Sequence, residues 1–297
     1  MIVLYDPQQH SSYASLYVQD PGVISRGYVA LALWYLGYPD QALKRVHEAL
    51  TLARELSHPY SLCMVLAWGV ASLHQYRREE QAAQEGAEAG IALSSDQGSP
   101  LLLAMGTILR GWALAEQGQG EEGIAQMRQG LAAYRATGAG VRRPYYLALL
   151  AKAYGKVGQT EEGLGLLAEA LALVDKNGER YYEAELYRLK GELTLQEANQ
   201  KSKVKTQKSK VLNPKSQILD PRSEAEACFQ KAIAVACRQS AKSLELRAAM
   251  SLSRLWQQQG KQYEAHKMLS TIYNWFTEGF DTVDLQEAQA LLEELRD

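Results

Sequence analysis

A chain of 297 residues with 46 % hydrophobic and 22 % charged residues has enough apolar surface for a packed core and is not a disordered polymer. Its formal net charge of −2 gives no general reason to expect nucleic acid, and no apolar stretch approaches the roughly 18 residues needed to span a bilayer. Three cysteines, Cys63, Cys228 and Cys237, are too few and too scattered for a disulfide framework, so structural thiols in a reducing, cytoplasmic setting are expected.

The chain opens irregularly. Residues 5–21 contain Asp6-Pro7, His10-Ser11-Ser12 and Asp20-Pro21 among scattered apolar residues, and the apolar run at residues 1–5 is too short for a signal sequence. With no polar cap ahead of the first regular segment, Met1 is expected to begin partway through a longer array.

An internal repeat then organises the sequence. Four strings align without gaps: Gly37-Tyr38-Pro39-Asp40-Gln41-Ala42, Arg77-Arg78-Glu79-Glu80-Gln81-Ala82, Gly118-Gln119-Gly120-Glu121-Glu122-Gly123 and Gly158-Gln159-Thr160-Glu161-Glu162-Gly163. A fifth is Gly260-Lys261-Gln262-Tyr263-Glu264-Ala265. The first four begin at 37, 77, 118 and 158, a period of about 40. Each carries a small residue five places on, at Ala42, Ala82, Gly123, Gly163 and Ala265. Seven residues later a small and an apolar residue follow at Ala49-Leu50, Gly130-Leu131 and Ala170-Leu171, with Gly90-Ile91 displaced by one place. The pattern reads as helix A, a tight turn, then helix B, whose small residues let two backbones approach closely.

The predicted pairs are 23–36 with 39–55, 60–76 with 79–94, 100–117 with 120–136 and 143–157 with 160–175. Then come 180–198 with 221–238 and 241–259 with 261–276. The fold class expected is all-α: a right-handed superhelical solenoid of about six antiparallel helix pairs over residues 1–297. The fifth pair is interrupted at 199–220 by a degenerate stretch with six lysines and no acid between 201 and 215, without which the net charge would fall to −8. It resembles the translated short repeats found in some bacterial genes, and a disordered basic loop is expected there. Near the C-terminus, Gly279 offers a left-handed helix stop with Phe280 packing back, and Asp281 or Thr282 can cap a final helix. That helix, 283–295, turns Leu285, Ala288, Leu291, Leu292 and Leu295 inward as a cap on the array.

The search for chemistry returns structural explanations. Gly118 to Gly123 spells G-x-G-x-x-G, but a helical pattern precedes it and two glutamates interrupt it, whereas a dinucleotide fingerprint follows a strand. The paired acids Glu79-Glu80, Glu121-Glu122 and Glu161-Glu162 recur in the first turn of helix B, where negative charge offsets the helix dipole. The five histidines have no metal-ligand spacing. No catalytic residue, cofactor site or metal site is therefore expected. Helix A lines the concave face in arrays of this kind, and by register Trp34, His74, Trp112, Tyr145, Lys152, Lys156, Arg247 and Arg254 are the candidates for contacting a protein or peptide partner in that groove.

The glycine turns and small helix-B residues resemble tetratricopeptide repeats, with a period longer than the usual 34. Longer strings, including residues 32–43, Leu109-Arg110-Gly111-Trp112-Ala113, residues 183–193 and residues 275–282, are similar to the C-terminal region of bacterial adenylate/guanylate cyclase–AAA ATPase signalling proteins. That resemblance implies a regulatory or scaffolding module in the cytoplasm whose cyclase and ATPase chemistry resides in other domains, with small-ligand sensing as the alternative. No nucleic acid or membrane partner is implied.

Overall fold

A computed structural model describes residues 18–207 and 220–296, and every regular element among them is helical. The helices are α1 (Pro21–Tyr35), α2 (Pro39–Glu55), α3, α4 (Glu80–Asp96), α5 (Pro100–Glu116), α6 (Gly120–Ala136) and α7 (Arg143–Lys156). They continue as α8 (Thr160–Asn177), α9 (Glu183–Gln207), α10 (Pro221–Arg238), α11 (Lys242–Gln258), α12 (Gln262–Tyr273) and α13 (Val283–Glu294). Helix α3 joins Pro59–Met64 and Ala71–Arg77 through a widened π-turn, Val65–Val70. This is an all-α array of successive helix pairs.

All six prolines among the described residues stand in the first turn of a helix, where the missing N–H is not needed. Helices A and B of the first four pairs and of the last pair meet through one recurring turn. Gly37, Gly118, Gly158 and Gly260 take φ between +77° and +92°, and the next residue's N–H bonds back to a carbonyl five residues earlier, as in Gln119 to Leu114 at 2.9 Å. In the second pair Arg78 does this without glycine, at φ +63°, with Glu79 N–H donating to the His74 carbonyl at 2.9 Å. The second repeat therefore begins at 78 rather than 77. With that correction the small positions become Ala42, Ala83, Gly123, Gly163 and Ala265, and the displacement at Gly90 disappears. Ala42, Ala83 and Ala265 are fully buried.

Close approach follows at these positions. A Cβ on Gly123 would stand 2.5 Å from the Gly111 carbonyl oxygen of α5, and one on Gly163 would stand 2.9 Å from the Ala151 carbonyl oxygen of α7. Gly118 and Gly123 of the G-x-G-x-x-G string thus serve a turn and a helix contact.

Contacts divide the chain into two compact units: residues 1–141 with 276–286, and residues 142–275 with 287–297. The first contains α1–α6, the second α7–α12. In the first, Trp68 of the π-turn fills the space over Gly27, 2.8 Å from where its Cβ would be, and lies against Tyr28 at 4.6 Å. In the second, Phe229 of α10 packs with Leu252 and Leu255 of α11 and Ala225.

Helix α9 runs beyond the predicted end at 198. Gln200 donates to the Gly158 carbonyl at 3.3 Å and accepts from Thr160 at 3.2 Å, while Lys201 pairs with Glu197 at 2.8 Å. The 199–220 stretch thus starts in helix, and its residues 208–219 lie outside the described residues, as do 1–17. Helix α13 buries Leu285, Ala288, Leu291, Leu292 and Leu295 as expected. Helix α12, however, stops at Tyr273, six residues before Gly279, and Phe280 is 49 % exposed, so Gly279 serves a different turn.

Candidate functional site

Helix A of a repeat is covered by its own helix B and by its neighbours, so most of its positions are interior. In α7, Pro144 to Ala151 are all buried, and in α11 Ser243 to Ser253 are. Three aromatic candidates for the groove are consequently core residues. Trp34 stacks on Tyr76 at 4.8 Å, Trp112 is 1 % exposed, and Tyr145 meets Tyr182 edge-on at 5.0 Å beneath the Arg142 guanidinium. Their mass fills the repeat interior. His74, also on helix A, is turned inward and hydrogen-bonds Glu79 through Nδ1. Burial pushes the Glu79 carboxyl up, but hydrogen bonds from His74 and Arg77 outweigh it and hold it below its usual range.

The charged candidates of the second unit behave differently. Lys152 of α7 and Arg247 of α11 both lie beside a buried ion cluster on α9. Arg188 grips Glu185 with two bonds of 2.7 Å, reaches Glu192 with its other nitrogen, and contacts the Ser251 hydroxyl at 3.3 Å. Ser251 in turn donates its one hydroxyl proton to Glu192 at 2.8 Å, with the Arg247 carbonyl 3.2 Å from the same oxygen. Glu185 is 4 % exposed. Burial alone would raise its pKa, but the bidentate Arg188, with Arg247 and Lys152 nearby, brings it down to about 2. Arg188 is correspondingly pushed up. The cluster therefore holds a fixed ionised arrangement at neutral pH across helix A of three successive pairs.

A groove of about 510 Å³ extends from this cluster between α9 and α11. Glu192, Ser251 and Arg254 lie at its polar end, Phe229 and Leu255 supply apolar surface, and Asn199 and Gln258 bring carboxamides. Arg254 is exposed and bridges to Glu287 at 3.3 Å. Gln196 is committed to the fold, donating to the Gly155 carbonyl at 2.7 Å. Lys156 is exposed in the last turn of α7. Of the eight candidates, Lys152, Arg247 and Arg254 are associated with one cluster and groove, Lys156 shares the helix of Lys152, and the other four are packing or internal hydrogen-bonding residues.

Glu185, Arg188, Glu192 and Ser251 were not among the candidates. The spacing Glu185/Arg188/Glu192 was the only available signal, and on most helices it marks an exposed ion pair of little consequence. No group of three or more His, Cys, Asp or Glu residues that could hold a metal ion occurs among the described residues. No described helix is long and apolar enough to cross a membrane.

No protein-family model matches the chain. An uncharacterized protein of Rhizobium meliloti is 24 % identical over 204 residues, covering 68 % of this chain and 20 % of that protein, so the chain spans about a fifth of its relative's length. Among solved structures, the tetratricopeptide-like repeats of a putative kinesin light chain from Podospora anserina align at TM-score 0.45 and 18 % identity, covering 68 % of this chain and 89 % of that one. A signal transduction ATPase with a tetratricopeptide repeat sensor, from Pyrococcus horikoshii, aligns at TM-score 0.46 and 14 % identity over 92 % of this chain and 38 % of that one.

Proposed function

We propose that this chain is a non-catalytic interaction module that takes an extended peptide segment of a protein partner on the helix-A face of its second unit. The observation that carries the proposal is the continuity of the ion cluster with the groove between α9 and α11. A rigid charged end, fixed by Arg188 and Glu192, opens onto a channel with Arg254, Asn199 and Gln258 on its walls. Pre-organised charge favours selectivity, because a ligand lacking the matching groups leaves desolvated ions unsatisfied.

The module is further proposed to be cytoplasmic and to act as the regulatory part of a bacterial signalling protein whose cyclase and ATPase activities reside in other domains. Support comes from the strings at 32–43, 183–193 and 275–282, and from the relative in which the matched stretch is about a fifth of the whole.

The test is selection of binding peptides on the full chain, followed by titration calorimetry against Arg254→Glu and against a chain with Lys208, Lys210 and Lys215 replaced by glutamine. The proposal expects Arg254→Glu to weaken binding by about tenfold, as for loss of a charged interface contact, with the lysine variant unchanged. Binding lost with the lysines and indifferent to Arg254 would contradict it.

A further inference from the structure

In the first unit, the helix A–helix B turns of the first two pairs form a polar seat around Asp40, Gln41, Arg77 and Arg78. Residues 276–286 lie against it as a strap. The Glu278 carboxylate sits over the N-terminus of α2, where Oε1 accepts the backbone N–H groups of Asp40 and Gln41, each at 3.0 Å, and Oε2 accepts the Gln41 side-chain amide at 2.9 Å. Asp40 reciprocates, its Oδ2 accepting the Gly279 N–H at 3.0 Å. Behind this contact, Arg77 is 4 % exposed and donates to the Pro39 carbonyl at 3.0 Å and to Glu79 at 2.7 Å. Its guanidinium lies 3.7 Å from the other oxygen of Asp40, so the seat is held from beneath. Arg78, whose left-handed backbone ends α3, reaches the Asp284 carboxylate at 3.2 Å.

The surface also reads shape. Gly279 has φ +76°, and a Cβ there would stand 2.1 Å from Pro39 Cγ, so no other residue fits without displacing the strap. The Thr282 hydroxyl closes the turn by donating to the Gly279 carbonyl at 2.6 Å. The elements recognised are a carboxylate, a glycine directly after it, and a second acid five residues beyond the glycine. Residues 275–286 carry the acids Glu278, Asp281 and Asp284 and no basic residue. Asp281 also forms part of the wall of a groove of about 810 Å³ along α2, together with Asp40, His47 and Arg77.

We propose that this surface is an acceptor for an acidic Glu-Gly-x-x-x-x-Asp segment of a partner protein that turns at its glycine, and that the chain's own strap occupies it as an autoinhibitory contact. Helix N-terminal N–H groups with a neighbouring arginine favour anionic side chains, and covalent tethering gives the strap an effective concentration near the millimolar range. A partner segment of the same chemistry therefore enters only when the strap is released.

The experiment uses the full chain and a fluorescent synthetic peptide of residues 275–286, followed by polarisation. Glu278→Ala removes the carboxylate, and Gly279→Val expels the strap by the clash with Pro39; the two act independently. Each variant is expected to bind the peptide at least about tenfold more tightly than the unaltered chain, the usual scale for charge-assisted contacts. A peptide with its own glutamate replaced by alanine is expected to lose that gain. Amide exchange provides a second readout: Asp40 and Gln41 should exchange faster in Glu278→Ala and slow again when peptide is added. Peptide that binds neither variant, or binds the unaltered chain as tightly as both, overturns the proposal, as does unchanged exchange.

Discussion

Replacing Gly123 by alanine tests whether helices A and B are packed backbone against backbone. The new Cβ would lie 2.5 Å from the Gly111 carbonyl oxygen, 2.7 Å from the Ala115 nitrogen and 2.8 Å from the Ala115 Cβ. Two of these three are main-chain atoms that cannot rotate away, and ordinary contact begins near 3.4 Å, so α5 and α6 must part by about 0.9 Å. Overpacking of this kind costs about 1–3 kcal/mol, and a clash with main chain belongs at the upper end. The gain in helix propensity returns about 1 kcal/mol, leaving a net destabilisation of about 2 kcal/mol. Gly165→Ala in α8 supplies the control, because a Cβ there meets nothing within 4 Å and the residue is exposed. It should stabilise by about 0.5–1 kcal/mol through propensity alone. Urea denaturation followed by circular dichroism measures both. A Gly123→Ala midpoint at or above that of the unaltered chain would refute the packing argument, whatever Gly165→Ala does.

Other perturbations follow from the same geometry. Glu185 has a native pKa of about 2 against an ordinary 4.5, so its ionised form adds stability that is fully present above 4.5 and is lost as pH falls from there toward 2. Chemical denaturation of Glu185→Gln beside the unaltered chain should show a gap of about 3 kcal/mol at pH 7 that narrows steadily below pH 4.5; a gap flat across that window would be the contrary result. Arg188→Met leaves Glu185 buried without its main partner and should cost about 3–5 kcal/mol in the same assay. Asp20→Ala removes the side chain that accepts the Val23 N–H at 2.9 Å, and a loss of about 1 kcal/mol in thermal unfolding is expected. All three thiol pKa values are pushed up, but Cys237 is exposed while Cys63 and Cys228 are buried, so an aromatic disulfide reagent should label one thiol in the native chain and the other two only on unfolding.

The helix pairs were legible in sequence because each turn is fixed locally. Glycine in the left-handed conformation, a small residue five places on and acids opening helix B all point to one structure within a dozen residues. The second pair was misplaced by one residue because Arg78 adopts the conformation that glycine takes elsewhere, and its side chain gives no sign of it. The groove residues were harder to place for a physical reason. Helix A is buried on several faces at once, so its apolar periodicity does not single out the side turned to solvent, and large aromatics such as Trp112 and Tyr145 fill the interior. The cluster at Glu185, Arg188 and Glu192 was invisible for the opposite reason. Its spacing is that of any surface ion pair, and only Ser251 and Arg247, some sixty residues away, show that Glu185 and Arg188 are enclosed. The strap depends on bonds between residues about 238 apart, which no local pattern encodes.

Photo-crosslinking tests the central claim most directly. A photoreactive phenylalanine placed at Gln258, on the groove between α9 and α11, is compared with one at Gln230, on the exposed side of α10. With a selected binding peptide present, adducts should form from position 258 and be suppressed by Arg254→Glu, with none from 230. Equal labelling from both positions, or labelling at 258 that survives Arg254→Glu, would contradict a peptide site on the helix-A face.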